Sequence, residues 1–144
     1  MVEAQGDGAA PQGRVILADD EHHVRAFLRA VLKGSGIVIV AEASNGAQAV
    51  ALFRQHRPDL LVMDLNMPVL TGEEALKQIL AEFPEARVVI LTSMADRESV
   101  ESCMELGAVN YLRKDCPPDE IRDVILAALR GDDPTQEPDE EAPA

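Results

Sequence analysis

Three acids stand where apolar runs end. Asp64 closes Leu60-Leu61-Val62-Met63, and Asp19-Asp20 closes Val15-Ile16-Leu17-Ala18. Four apolar residues in a row read as a strand buried on both faces, and ligands of open α/β sheets bind outside the carboxyl ends of such strands. If the two strands are neighbours, three carboxylates share one rim, which is costly unless a cation or a reaction requires it. Two more groups fall at matching places: Thr92-Ser93 ends a fourth run, and Lys114 follows Tyr111-Leu112-Arg113. Three acids, a hydroxyl and an ammonium on one rim suit phosphoryl chemistry on a carboxylate. Mg²⁺ takes oxygen ligands and keeps several waters, so two carboxylates and a backbone carbonyl make a suitable partial shell. A phosphoryl group on Asp64 would then be neutralised by that ion on one side and by Lys114 on the other, with Thr92 donating a hydrogen bond.

The elements that must position these groups are visible in the apolar pattern. Short, nearly unbroken apolar runs at 14–18, 37–42, 59–64, 87–92 and 109–112 predict strands of a parallel sheet covered on both faces. Val24, Phe27, Leu28, Val31 and Leu32 make one helical stripe; Leu76, Ile79, Leu80 and Phe83 make another, and Ile121, Val124, Ile125, Ala128 and Leu129 a third. Less regular helices are expected near 46–56 and 96–106. Thr71 and Glu74 have capping-box spacing, Pro117-Pro118 precede or open the last helix, and Gly34, Gly107 and Gly131 stand where helices should stop. Five βα units with right-handed crossovers make one doubly wound α/β domain.

Composition narrows the function classes. The chain has 144 residues and a formal net charge of -13. Two acids in 1–13 and six in 131–144 leave -5 on residues 14–130. A mildly acidic body argues against direct nucleic-acid binding, which needs basic surface. Residues 1–13 read as a flexible segment, 14–130 as the folded domain, and 131–144, with three prolines, as a disordered acidic tail. Two cysteines without a CxxC pair fit a reducing cytoplasm, no apolar run approaches the ~18 residues of a membrane span, and no signal peptide is evident.

Asp19-Asp20, Asp64 with Asn66-Met67-Pro68 and Gly72, Thr92, and Tyr111 with Lys114 together resemble the CheY-like receiver domain of two-component response regulators. The resemblance covers about residues 14–130. It implies a flavodoxin-like, five-stranded parallel sheet of order 2-1-3-4-5 with helices on both faces. It further implies that Asp64 is the phospho-acceptor, that Mg²⁺ (or Mn²⁺ in its place) is held by Asp20, Asp64 and the Asn66 backbone carbonyl, and that Asp19 acts through water. Lys114 would pair with the acceptor, Thr92 and Tyr111 would form the switch, and the small Ser93 would leave the site accessible. A sensor histidine kinase or a histidine phosphotransfer protein would supply the phosphoryl group. The α4-β5-α5 surface would then take up a downstream effector or a second copy of the chain. Such a protein is a switch that catalyses only its own phosphotransfer and slow dephosphorylation. Most of the family follows the lysine with proline in a cis bond; here Asp115 follows, and a cis non-proline bond costs ~3 kcal/mol, so a different loop is expected. The Lys-Asp pair is similar to receivers of LuxR-type regulators.

Plainer readings accompany these. Asp19-Asp20 suits a helix N-cap pair, with Asp20 able to serve both roles. His22 and His23 point about 100° apart on a helix and cannot chelate one metal together. His56 reads as a surface residue, Cys103 as partly packed, and Met94, Val100 and Met104 as core or as an apolar patch. A phosphatase of the haloacid dehalogenase kind would want an acid where Asn66 stands. An unphosphorylated docking module is the other alternative.

Overall fold

The computed structural model describes residues 12–93 and 97–131. Strands and helices alternate in them: β1 (Gly13–Ala18), α1 (His22–Leu32), β2 (Ile37–Ala43), α2 (Gly46–His56), β3 (Leu60–Asp64), α3 (Gly72–Glu82), β4 (Val88–Thr92), α4 (Arg97–Leu106), β5 (Asn110–Arg113) and α5 (Pro118–Arg130). The strands form one parallel sheet in the order β2-β1-β3-β4-β5. This is the expected flavodoxin-like arrangement. Met94 and most of the two terminal segments lie outside the described residues.

Every residue of β3 and of β4 is buried, as apolar runs covered on both faces require. Side-chain alternation divides the strands between two cores. Ile16, Leu61, Met63 and Ile90 join Phe53 of α2, Leu76 of α3 and Val100 of α4. Val15, Leu17, Val62 and Leu91 join Leu28 of α1 and Ile125 of α5 on the other face. Each such aliphatic side chain, fully buried, contributes about 1.5–3 kcal/mol of transfer free energy. The sheet is therefore a rigid base for whatever its carboxyl edge carries.

Local signals set the helix ends. Thr71 Oγ1 accepts from Glu74 N at 3.2 Å, and Glu74 Oε1 accepts from Thr71 N at 3.1 Å, completing the expected capping box of α3. Pro118 opens α5, and Gly131 closes it at φ 84°. Four expectations need correction. Gly13 belongs to β1 rather than to a flexible segment, because it pairs with Ile37 in the ladder. Neither Asp19 nor Asp20 caps α1; the N-cap is Glu21, without a side-chain bond, because the Asp19 oxygens are committed elsewhere. Phe27 is 41% exposed, lying at the margin of the stripe that buries Leu28 and Leu32. Cys103 is fully buried rather than partly packed, and Val100 and Met104 pack with or against the same core.

Gly72 marks the closest approach of α3 to the sheet. A Cβ there would overlap the Asp64 carbonyl oxygen and stand 2.8 Å from Leu65 Cα. The Gly72 N–H donates to Leu65 O at 2.9 Å, drawing the start of α3 onto the end of β3. Overpacking of this kind costs ~1–3 kcal/mol. Gly72→Ala is thus expected to lower the urea-unfolding free energy by about 2 kcal/mol, through displaced backbone beside Asp64. Gly72→Ala matching the parent in stability would contradict this packing.

Candidate functional site

Strand register assembles the rim. Ala18 lies opposite Met63, so Asp19 follows beside Asp64. Asp64 lies opposite Leu91, and Thr92 is the next residue of β4. Thr92 lies opposite Arg113, and Lys114 comes next. Backbone bonds prolong this order past the strands: Asp19 N to Ala43 O at 3.0 Å, Leu65 N to Leu91 O at 3.2 Å, and Lys114 N to Thr92 O at 2.9 Å. The expected site residues therefore come from four chain segments that the sheet alone brings side by side.

Lys114 Nζ stands 3.0 Å from Asp19 Oδ2, 3.3 Å from Asp64 Oδ2 and 3.7 Å from Glu21 Oε1. Asp19 and Asp64 are buried, whereas Asp20 is exposed. The Asp64 carboxyl is pushed up to about 6, first by burial and then by the Asp19 charge. Lys114 and a backbone hydrogen bond at Asn66 work in the opposite direction. Burial opposes the ammonium of Lys114, yet Asp19 and Asp64 hold its pKa above the ordinary lysine value. Thr92 is buried, and its hydroxyl donates to Ser93 O at 2.9 Å. Tyr111 is 45% exposed and shares a groove with Thr92, Ser93, Arg97, Val100 and Met104.

The acids fit a small, hard cation. One carboxylate oxygen from each of Asp19, Asp20 and Asp64 lies within 4.8 Å of the others. Asp19 Oδ2 is buried with the ammonium as its charge partner but accepts no well-aligned hydrogen bond. A buried oxygen left so is uncommon, and a cation bound beside it would satisfy it. An all-oxygen donor set suits Mg²⁺ or a similar ion.

The loop after β3 carries strain beside this pocket. Leu70 N donates to Pro68 O at 2.7 Å across Val69, which holds φ 71° and is 79% exposed. A β-branched residue there is an outlier costing ~1–3 kcal/mol, and such outliers cluster at functional loops. After Lys114 the chain turns through trans bonds, with Cys116 N donating to Arg113 O at 3.0 Å and Arg113 paired with Asp115. The different loop expected from the missing proline is thus what the chain adopts. Sequence reasoning missed Arg25, Arg29 and Glu42, which form an ion cluster joined to the Asp19 backbone. The available signal was a lone carboxylate, Glu42, in the otherwise apolar run 37–43.

A parallel 2-1-3-4-5 sheet with an acid triad and a lysine at its carboxyl edge defines a receiver-like protein. The chain belongs to the response regulator receiver domain family, whose model matches residues 15–126. The chemotaxis protein CheY of Bacillus subtilis is 34% identical over 116 residues, covering 81% of this chain and 97% of the relative. The uncharacterized transcriptional regulatory protein YxjL of Bacillus subtilis is 41% identical over 120 residues, 83% of this chain and 55% of the relative. The chain spans about half the length of such transcriptional regulators. Among solved structures, the signal receiver domain of NarL from Mycobacterium tuberculosis matches with TM-score 0.79 at 28% identity, covering 84% and 98% of the two chains. A LuxR-family two-component response regulator from Aurantimonas matches with TM-score 0.77 at 33% identity, covering 85% and 91%.

The raised Asp64 pKa sets a pH dependence. The carboxyl titrates at about 6 in the fold against an ordinary 3.8, so between these values the folded state holds a proton the unfolded chain lacks. Its contribution to stability is present below about pH 4 and is lost as pH rises through about 6. Without divalent cation, Asp64→Asn is expected to be about 2–3 kcal/mol more stable than the parent at pH 7, with the slope between about pH 4 and 6 flattened. Urea unfolding across that range measures both; a variant less stable than the parent at pH 7 contradicts the electrostatics.

Proposed function

We propose that this receiver accepts a phosphoryl group from phosphohistidine onto Asp64 in a Mg²⁺-dependent reaction and alters its α4-β5-α5 surface as a result. The observation that carries this reading is the Lys114 ammonium bridging Asp19 and Asp64 beside three clustered carboxylates. An Asp64 oxygen forms the new O–P bond as the N–P bond of the donor breaks, and the imidazole leaves. Asp64 must be ionised to attack, and at pH 7 a pKa of about 6 leaves it largely so. Asp20, Asp64 and the Asn66 carbonyl would hold Mg²⁺, or Mn²⁺ in its place, with Asp19 acting through water. Bound there, the ion would offset the repulsion between the carboxylate and the incoming anion. Asn66 offers no carboxyl to act as general acid, which disfavours a phosphatase.

Phosphorylation replaces one negative charge with about two and adds acceptor oxygens. Lys114 gains a stronger partner. The Thr92 hydroxyl exchanges the Ser93 carbonyl for a phosphoryl oxygen, a charge-assisted bond worth ~1.5–3 kcal/mol. Tyr111 shares the adjoining groove and follows this change. The signal leaves through that surface to a downstream effector protein or a second copy of the chain, rather than directly to DNA. A sensor histidine kinase or phosphotransfer protein in the cytoplasm is the donor. The chain is regenerated by hydrolysis of its own acyl phosphate, so it works as a switch and not as an enzyme on free substrates. No helix among the described residues is long and apolar enough to cross a membrane.

Incubation with acetyl phosphate and Mg²⁺ is expected to add one alkali-labile phosphoryl group, read by intact-protein mass spectrometry. Chelation with EDTA and Asp64→Asn should each abolish the gain. An unlabelled parent, or a labelled Asp64→Asn variant, overturns the reading.

A further inference from the structure

We infer that Arg25 is a positioning residue for the acidic pocket: its guanidinium holds the peptide joining Asp19 to Asp20 and thereby aims the Asp20 carboxylate at the cation site. The inference rests on the Mg²⁺ reading above. Arg25 lies in the first turn of α1, and its side chain is only 15% exposed. Its Nη1 donates to the Asp19 carbonyl oxygen at 2.5 Å, and its Nε donates to Glu42 Oε1 at 2.9 Å. His22 Nδ1 stands 3.4 Å from its Nη2. A planar guanidinium held at two points has a set direction, which a lysine ammonium lacks.

The carbonyl it grips belongs to the rigid peptide plane shared with the Asp20 nitrogen, so tilting that plane swings the Asp20 side chain. The rest of Asp19 is fixed already. Its N–H donates to Ala43 O, Oδ1 accepts from Glu21 N at 2.8 Å, and Oδ2 faces Lys114. Asp20 is exposed and takes its direction from the peptide that Arg25 holds. Glu42 in turn anchors Arg25. It lies in β2 opposite Leu17, and Arg29 Nη1 reaches its other oxygen at 2.5 Å. Burial disfavours the Glu42 carboxylate, but bonds from Arg29 and Arg25 prevail and lower its pKa. Glu42 faces two guanidinium groups, so the cluster keeps one net positive charge, and what sets Arg25 apart from Arg29 is its hold on the Asp19 carbonyl.

Two variants separate direction from charge. Arg25→Gln and Arg29→Gln each remove one positive charge from the same carboxylate, but only Arg25 touches the Asp19 backbone. Loss of charge alone would leave Mg²⁺ affinity unchanged or raise it in both. Loss of a group that orients a ligand typically weakens metal binding ~10–100-fold. Titration calorimetry of Mg²⁺ into the full chain, without phosphodonor, is therefore expected to show at least about tenfold weaker binding for Arg25→Gln. Arg29→Gln should stay within about twofold of the parent, as a partly exposed ion pair that does not touch the Asp19 backbone contributes little. Circular dichroism reports folding, and Arg25→Lys, which keeps the charge but not the fork, replaces the glutamine variant if that one is unfolded. Unweakened binding by the Arg25 variant, or equal weakening by both positions, overturns the inference. A parent that binds no Mg²⁺ overturns both this inference and the metal reading beneath it. A parent that binds, beside an unaffected Arg25 variant, overturns this inference alone.

Discussion

Repulsion among three carboxylates at one sheet edge is the constraint on which the rest of this structure depends. Asp19 and Asp64 are both buried and placed within reach of one lysine, whose ammonium answers two charges at once. One cation facing a triad of acids leaves the pocket negative, and burial, with the Asp19 charge adding to it, raises the Asp64 pKa to about 6. On the proposed function, a divalent cation held there would offset this charge before a phosphoryl group arrives. The cost of assembling like charge is tolerable because two apolar cores hold the strands that carry it. Native stabilities of ~5–15 kcal/mol leave room for a site penalty of a few kcal/mol, provided the base does not yield.

Geometry follows from the same base. Residues just past β1, at the end of β3 and β4, and just past β5 become neighbours only through parallel register. Gly72 lets α3 close against the Asp64 peptide, and the strained turn at Val69 lies in the connection between them. Lys114 is brought over the acids by its backbone bond to Thr92, so the ammonium and the hydroxyl share one anchor. Thr92 thus bonds to the lysine backbone and, with Tyr111, lines the α4–β5 groove.

Much of this was legible in the sequence, for physical reasons. Buried parallel strands must be almost wholly apolar, so a charged residue at the end of one, such as Asp64, stands out. Helix stripes and the Thr71–Glu74 box are local patterns and appeared where expected. Positions decided by tertiary geometry were less visible. Asp20 suits a cap by type, yet Glu21 takes that place, without a side-chain bond. Phe27 fits the period of its stripe, but it is 41% exposed, while Leu28 and Leu32 are buried and Val24 and Val31 pack against the same core. The Arg25–Glu42 pair spans 17 positions and two elements, and no local period announces it. Its one trace was a carboxylate in an apolar strand, a group that must find a cation or stay neutral.

The electrostatic account is tested most directly by the Asp64 titration itself, followed through its side-chain carboxyl carbon by NMR with and without Mg²⁺. The account predicts a midpoint near 6 in the ion-free protein, a higher midpoint in Lys114→Ala, and a marked fall when Mg²⁺ is added. A midpoint at the ordinary aspartate value of 3.8, unmoved by Mg²⁺ or by loss of the lysine, would contradict it.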